Sequence, residues 1–178
     1  MSVLDKKKTE QRYEGKRLAR RKKGFSVKIG VVLLLTFLVL VNLFAQFYSV
    51  VRYYGDSMRP SLRNGQVLFV RKTQEVEEGD VVAFYYNNKI LIRRVISMGG
   101  DSITIDSSGN VSINGEELEE PYVENRSIGQ CDLDFPYDVP VGQIFLMGDD
   151  RVISMDSRLS QIGTISADRL LGKVVFHL

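Results

Sequence analysis

Val67-Leu68-Phe69-Val70 and Val81-Val82-Ala83-Phe84 flank an acidic turn from Glu75 to Asp80, and these two short runs decide the fold class. Each is only four residues long and rich in β-branched or aromatic side chains, which is the pattern of a buried strand rather than a helix. Downstream, Ile90 to Met98 is joined to the second run by Asn87-Asn88, and asparagine tolerates the positive φ that a two-residue hairpin turn requires. Ser102-Ile103-Thr104-Ile105 and Val111-Ser112-Ile113 alternate as strands do, with turns at Ser107 to Asn110 and Asn114-Gly115. Glu119 to Pro140 holds three of the four prolines, several acids and little periodicity, so it reads as a long surface excursion. Ile144 to Met147 and Val174 to Phe176 read as closing strands, and a helical hint outside the apolar run lies at Ser166 to Leu171. The expectation is a mainly β domain of short antiparallel strands, curled barrel-like to protect their edges.

Upstream of the strands the chain changes character. Met1 to Lys28 carries 11 Lys/Arg against 3 Asp/Glu, whereas Val51 to Leu178 carries 13 against 19, so the two ends are +8 and −6. A basic block fits a nucleic-acid arm or a membrane flank. The adjoining stretch decides for the membrane: Ile29 to Val50 has no charged residue and is long enough to cross about 30 Å of hydrocarbon as a helix. A cleaved secretory signal has a shorter core ending in a small-x-small site, and Phe44-Ala45-Gln46-Phe47-Tyr48 lacks one. Lys and Arg stay on the cytoplasmic side. The chain therefore divides into a basic cytoplasmic segment at 1–28, a transmembrane helix at 29–50 and an extracytoplasmic domain at 51–178, with the lipid bilayer as a partner and no nucleic acid.

Cys131 is the sole cysteine and His177 the sole histidine. No internal disulfide is available, and too few soft ligands exist for a zinc site, so no metal is expected. A Ser-His-Asp arrangement would have to use the penultimate residue.

Three polar clusters interrupt the strands. In Gly55-Asp56-Ser57-Met58-Arg59-Pro60-Ser61-Leu62, Gly55 permits a tight backbone and Pro60 stiffens the exit. Ser57 is either a nucleophile presented beside its own amide or a turn residue. Arg93-Arg94-Val95-Ile96 is followed by Gly99-Gly100-Asp101, and paired arginines on a strand imply one exposed and one ion-paired. Gly148-Asp149-Asp150-Arg151-Val152-Ile153-Ser154-Met155-Asp156-Ser157-Arg158 is a dense polar loop after a buried strand.

In this order behind one apolar helix, the pieces resemble the bacterial type I signal peptidases, membrane-bound serine proteases that remove signal peptides. Gly55 to Leu62 is similar to the family's Gly-x-Ser-Met-x-Pro-Thr-Leu box, with Ser61 at the threonine. Gly79-Asp80-Val81-Val82-Ala83-Phe84 resembles its Gly-Asp-[Ile/Val]-Val-x-Phe strand, and Arg93 to Asp101 its Lys-Arg-Val-Ile-Gly-x-Pro-Gly-Asp box. Gly148 to Arg158 resembles Gly-Asp-Asn-Arg-x-x-Ser-x-Asp-Ser-Arg, with Asp150 for asparagine. The resemblance implies a Ser-Lys dyad without a cofactor. Ser57 attacks the scissile carbonyl, a neutral lysine takes its proton, and Ser154 holds that lysine. Asp149, Asp156 and Arg158 support the site, and Gly55, Asp56 and Met58 meet a signal-peptide-bearing precursor that lies as an extended strand with small residues before the cut.

Arg93 stands at the position of the family's lysine. A guanidinium with a pKa above about 12 is neutral in fewer than about one molecule in 10⁵ at pH 7, so arginine is no general base. Lys89 shares Arg93's strand face but lies roughly 13 Å away along it, at about 3.4 Å per residue, and Lys72 and Lys173 fall outside the matching position. Two readings stand side by side: a signal peptidase with an unforeseen base, or a catalytically impaired signal-peptidase-like protein that binds precursors or assists surface-protein assembly.

Overall fold

The computed structural model describes residues 28–178, and the basic segment expected at 1–28 lies outside them except for Lys28. Helix α1, Lys28–Phe47, is 20 residues long and apolar enough to cross a membrane by length and composition. At 1.5 Å per residue it measures about 30 Å. It ends three residues before the expected boundary at Val50. Tyr48–Arg52 forms strand β1 instead, paired antiparallel with β2 (Val67–Arg71) from Tyr48 opposite Arg71 to Arg52 opposite Val67. The β-branched pair Val50-Val51 suits that strand, and β2 takes over the backbone hydrogen bonds that the next helical turn would have made. An uncharged run is thus shared between a helix and a strand.

Phe47–Leu178 forms a compact unit of two antiparallel sheets. The remaining strands of the larger one are β3 (Val81–Tyr86), β4 (Lys89–Met98), β9 (Gln143–Met147), β10 (Ile165–Ser166) and β11 (Leu170–His177). The smaller sheet contains β5 (Ser102–Ile105), β6 (Val111–Ile113), β7 (Glu116–Glu117) and β8 (Tyr137–Asp138). The orders are β1-β2-β11-β3-β4-β9-β10 and β7-β6-β5-β8. The larger order is linear, with β1 and β10 at its ends.

Local chemistry accounts for the turns. Asn87 and Asn88 have φ of 44° and 59°, the two positive values of a type I′ hairpin between β3 and β4. Asn114 and Gly115 repeat the arrangement between β6 and β7. The helical hint near Ser166 proves to be one 3-10 turn, Ala167–Arg169, before β11. Gly172 in β11 has φ of 149°, and a Cβ there would lie 2.0 Å from the carbonyl oxygen of Arg71. Only glycine lets β11 pass β2 this closely.

Long strand β4 lies between β3 and β9. Ile92, Val95 and Ile96 on it are each at most 2% exposed and belong to three different apolar clusters. Arg93, in the same stretch of the strand, is therefore carried into the interior.

Candidate active site

Ser57 is held by a turn that is fastened to the core on one side and to a second loop on the other. Gly55 enters the turn at φ +124° and donates from its amide to Asn64 Oδ1 at 3.2 Å. The Arg59 amide donates to the Asp56 carbonyl at 3.0 Å and the Leu62 amide to the Met58 carbonyl at 2.8 Å. Met58 is fully buried in the cluster that holds Tyr53, Leu62 and Leu68, so the residue after the serine anchors the turn by its apolar side chain. Asp56 is partly exposed and pairs with Arg59 at 2.8 Å. From the other side, the amide of Asp150 donates to the Ser57 carbonyl at 3.0 Å. Gly148 makes that approach possible, because a Cβ there would lie 2.2 Å from Ser154 Oγ and 2.5 Å from the Ser57 carbonyl oxygen.

Arg93 arrives from β4, where it pairs with Val82 of β3, and is only 5% exposed. Its Nη1 donates to Ser57 Oγ at 2.9 Å and to the Ile92 carbonyl at 2.6 Å. Nε and Nη2 both donate to the Met155 carbonyl, at 3.1 and 2.7 Å. Burial pushes this guanidinium down from arginine's ordinary value, whereas Asp156 and Tyr53 push it back up. All four bonds use N–H hydrogens as donors, and a guanidinium offers no lone pair to the serine proton. Arg93 is thus a donor to Ser57. Of the expected exposed and ion-paired arginines only the ion-paired one is found, because the middle of β4 is covered on both faces and neither side chain is exposed.

Arg94 is the ion-paired one. Its Nε and Nη2 donate to the two carboxylate oxygens of Asp149 at 2.9 and 2.6 Å, Nη2 also reaches Ser61 Oγ at 3.1 Å, and the guanidinium lies 3.9 Å above the Tyr122 ring. Burial, with the nearby Glu120 carboxylate, holds the Tyr122 phenol well above the usual range. Asp156 accepts from the Gly148 amide at 2.9 Å and from Arg158 Nε and Nη2 at 2.8 and 2.9 Å. Its carboxylate therefore ties the start of the loop to its end. Ser154 Oγ is buried beside Gly148 and has no hydrogen-bond partner among the described residues.

Tyr53, Arg151 and Glu120 carry structure at this site that sequence reasoning did not single out. Tyr53 Oη lies 3.3 Å from Ser57 Oγ and accepts from the Met58 amide at 3.0 Å. Arg151 donates from Nε to the Gly148 carbonyl at 3.0 Å and forms a buried ion pair with Glu120. Arg151 sits inside a quoted box, but nothing local marks its partner 31 residues upstream. A cleft of about 300 Å³ opens beside the serine, lined by Val51, Tyr53, Ser57, Lys89, Leu91 and Arg93 among others. Lys89 lines its wall, while Lys173 is committed to Asp80 at 2.6 Å.

Residues 25–178 match the family model described as signal peptidase, peptidase S26. The chain belongs to this family. It is 32% identical over 196 residues to signal peptidase I of Streptococcus pneumoniae, covering 88% of this chain and 94% of that one. Signal peptidase I T of Bacillus subtilis is 36% identical over 135 residues, covering 68% of this chain and 69% of the relative. Signal peptidase I of Bacillus licheniformis is 37% identical over 135 residues, with 68% and 72% covered. Within a signal peptidase, the three polar clusters quoted from the sequence meet at one serine, Arg93 at its hydroxyl and the Asp150 amide at its carbonyl.

Proposed function

We propose that the protein is a membrane-bound serine endopeptidase that removes N-terminal signal peptides from secreted precursors after small residues. Ser57 is the nucleophile, Gly55 and Asp56 border the substrate, and Met58 contributes by seating the turn. Asp149, Asp156 and Arg158 keep the loop in place, and the precursor lies extended along the cleft between Tyr53 and β4. Helix α1 anchors the chain in the bacterial plasma membrane with its N-terminus cytoplasmic and the β unit extracytoplasmic. Seven twisted strands accumulate curvature, which supports a barrel-like curl of the larger sheet. No cofactor or nucleic acid takes part. The observation that carries the reading is the 2.9 Å hydrogen bond from the residue at the family's lysine position to Ser57 Oγ.

A second reading rests on the identity of that residue. An arginine whose N–H groups are spent on the Met155 and Ile92 carbonyls fits a member that binds precursors, or assists surface-protein assembly, without cutting. Purified full-length wild type, Ser57→Ala and Arg93→Lys, each mixed with a precursor bearing a small-x-small site, separate the two. The peptidase reading expects cleavage by wild type and none by Ser57→Ala. Cleavage by Arg93→Lys alone establishes the binding reading, and equal cleavage by wild type and Ser57→Ala removes Ser57 as nucleophile.

A further inference from the structure

We infer that Tyr53 is the proton acceptor for Ser57. The inference rests on Ser57 being the nucleophile and begins with what Arg93 cannot do. A guanidinium has donors only, so the Nη1 bond to Ser57 Oγ fills an acceptor position of the hydroxyl and leaves its proton to point elsewhere. Tyr53 Oη, at 3.3 Å, is an oxygen within reach of that proton.

The position of this phenol is fixed. Tyr53 is 4% exposed, its ring packs with Met58, Leu62 and Leu68, and its amide donates to the Gln66 carbonyl at 2.8 Å. The amide of Met58, next in sequence to the nucleophile, donates to Tyr53 Oη at 3.0 Å. The oxygen is thus held in place by a backbone N–H while it faces the serine hydroxyl. Arg93 supplies the compensating cation, and Tyr53 is among the groups that favour the charged guanidinium. A phenolate beside a guanidinium is neutral as a pair, as is the free amine of a Ser-Lys dyad. Cation and base are simply carried by two residues.

In the first step the Ser57 O–H bond breaks, its oxygen forms a bond to the scissile carbonyl carbon, and the proton passes to the Tyr53 phenolate. On collapse the phenol returns this proton to the departing amine as the C–N bond breaks, which restores the phenolate. Water then attacks the acyl-serine ester, gives one proton to Tyr53, and Ser57 regains it as the acid leaves. Arg93 stays protonated throughout. The route runs only through the ionised form of the phenol, so it makes cleavage climb with pH. The charged groups around the phenol are Arg93 from β4, with Asp149, Asp156 and Arg158 acting on that guanidinium, and Arg52 and Lys89 lining the same cleft.

The test uses the full chain in detergent with a small-x-small precursor, from about pH 6 to 10. Tyr53→Phe is expected to lose on the order of 10² to 10⁴ in kcat, to keep KM within about threefold, and to lose the alkaline rise. Wild type carrying 3-fluorotyrosine at position 53, which preserves the packing and makes the phenol more acidic, is expected to shift the rise to lower pH. A purely structural tyrosine would leave the profile where it was. If wild type cuts, Ser57→Ala does not, and either the Tyr53→Phe profile matches wild type or fluorotyrosine leaves it unmoved, the inference is overturned and the peptidase reading stands. Cleavage confined to Arg93→Lys overturns both.

Discussion

Exchanging lysine for arginine replaces one amine with five N–H donors, and at position 93 four of those donors reach oxygens of Ile92, Ser57 and Met155. A lysine head is narrower, with three donors as the ammonium and, when neutral, two donors and one lone pair. The guanidinium donates to the Met155 carbonyl, and the Ser154 hydroxyl is buried without a partner among the described residues. A buried unpaired hydroxyl costs about 1 to 3 kcal/mol. Ser154→Ala in the wild-type chain is therefore expected to be neutral or stabilising by up to about 1 kcal/mol, measured as the urea midpoint of the β unit's transition. In an Arg93→Lys background the same substitution removes a partner of the new amine and is expected to reduce cleavage. A loss of about 2 kcal/mol or more from Ser154→Ala alone would mean that the hydroxyl is satisfied in solution.

Among the elements, the excursion at 119–140 does more than its composition promised. Glu120 and Arg151 form an ion pair with both side chains 0% exposed, and Arg158 Nη1 donates to the Ile128 carbonyl at 2.8 Å. The excursion is thereby fastened to the loop that bears Ser154. Removing one charge strands the other, so Glu120→Ala is expected to cost about 3 to 5 kcal/mol, whereas Glu120→Leu with Arg151→Met should cost much less because no charge remains buried. Denaturant unfolding of the two variants checks this, and equal losses would place the effect in packing rather than charge. The contrast also marks what a sequence can say. Asn87-Asn88, Asn114-Gly115 and the β5 and β6 alternation act through their own neighbours, so turn chemistry and period two locate them. Strand β1 and the Glu120–Arg151 pair depend on partners far along the chain, β2 in one case and a loop 31 residues away in the other. Ser57 and Arg93 were legible as motif positions, but that Tyr53 completes their contacts emerges only from the turn folding back on itself.

At the scale of the whole molecule, charge and apolarity are separated along the chain in a way that supports the proposed orientation. The +8 segment ending at Lys28 precedes the 20-residue apolar helix, and the unit beyond it is net acidic. Moving a cluster of Lys and Arg across a bilayer is far costlier than keeping it in the cytoplasm, and acidic residues have little say in the matter. The β unit should therefore face outward, where precursors emerge. Introduced cysteines test this with a membrane-impermeant thiol reagent in a Cys131→Ser background. Ser108→Cys lies on an exposed turn between β5 and β6, and it is expected to label in intact cells. Ser2→Cys is expected to label only after the membrane is opened. The reverse pattern would put the nucleophile in the cytoplasm and remove secreted precursors as its substrate, while labelling of both in intact cells would show that α1 does not span the bilayer.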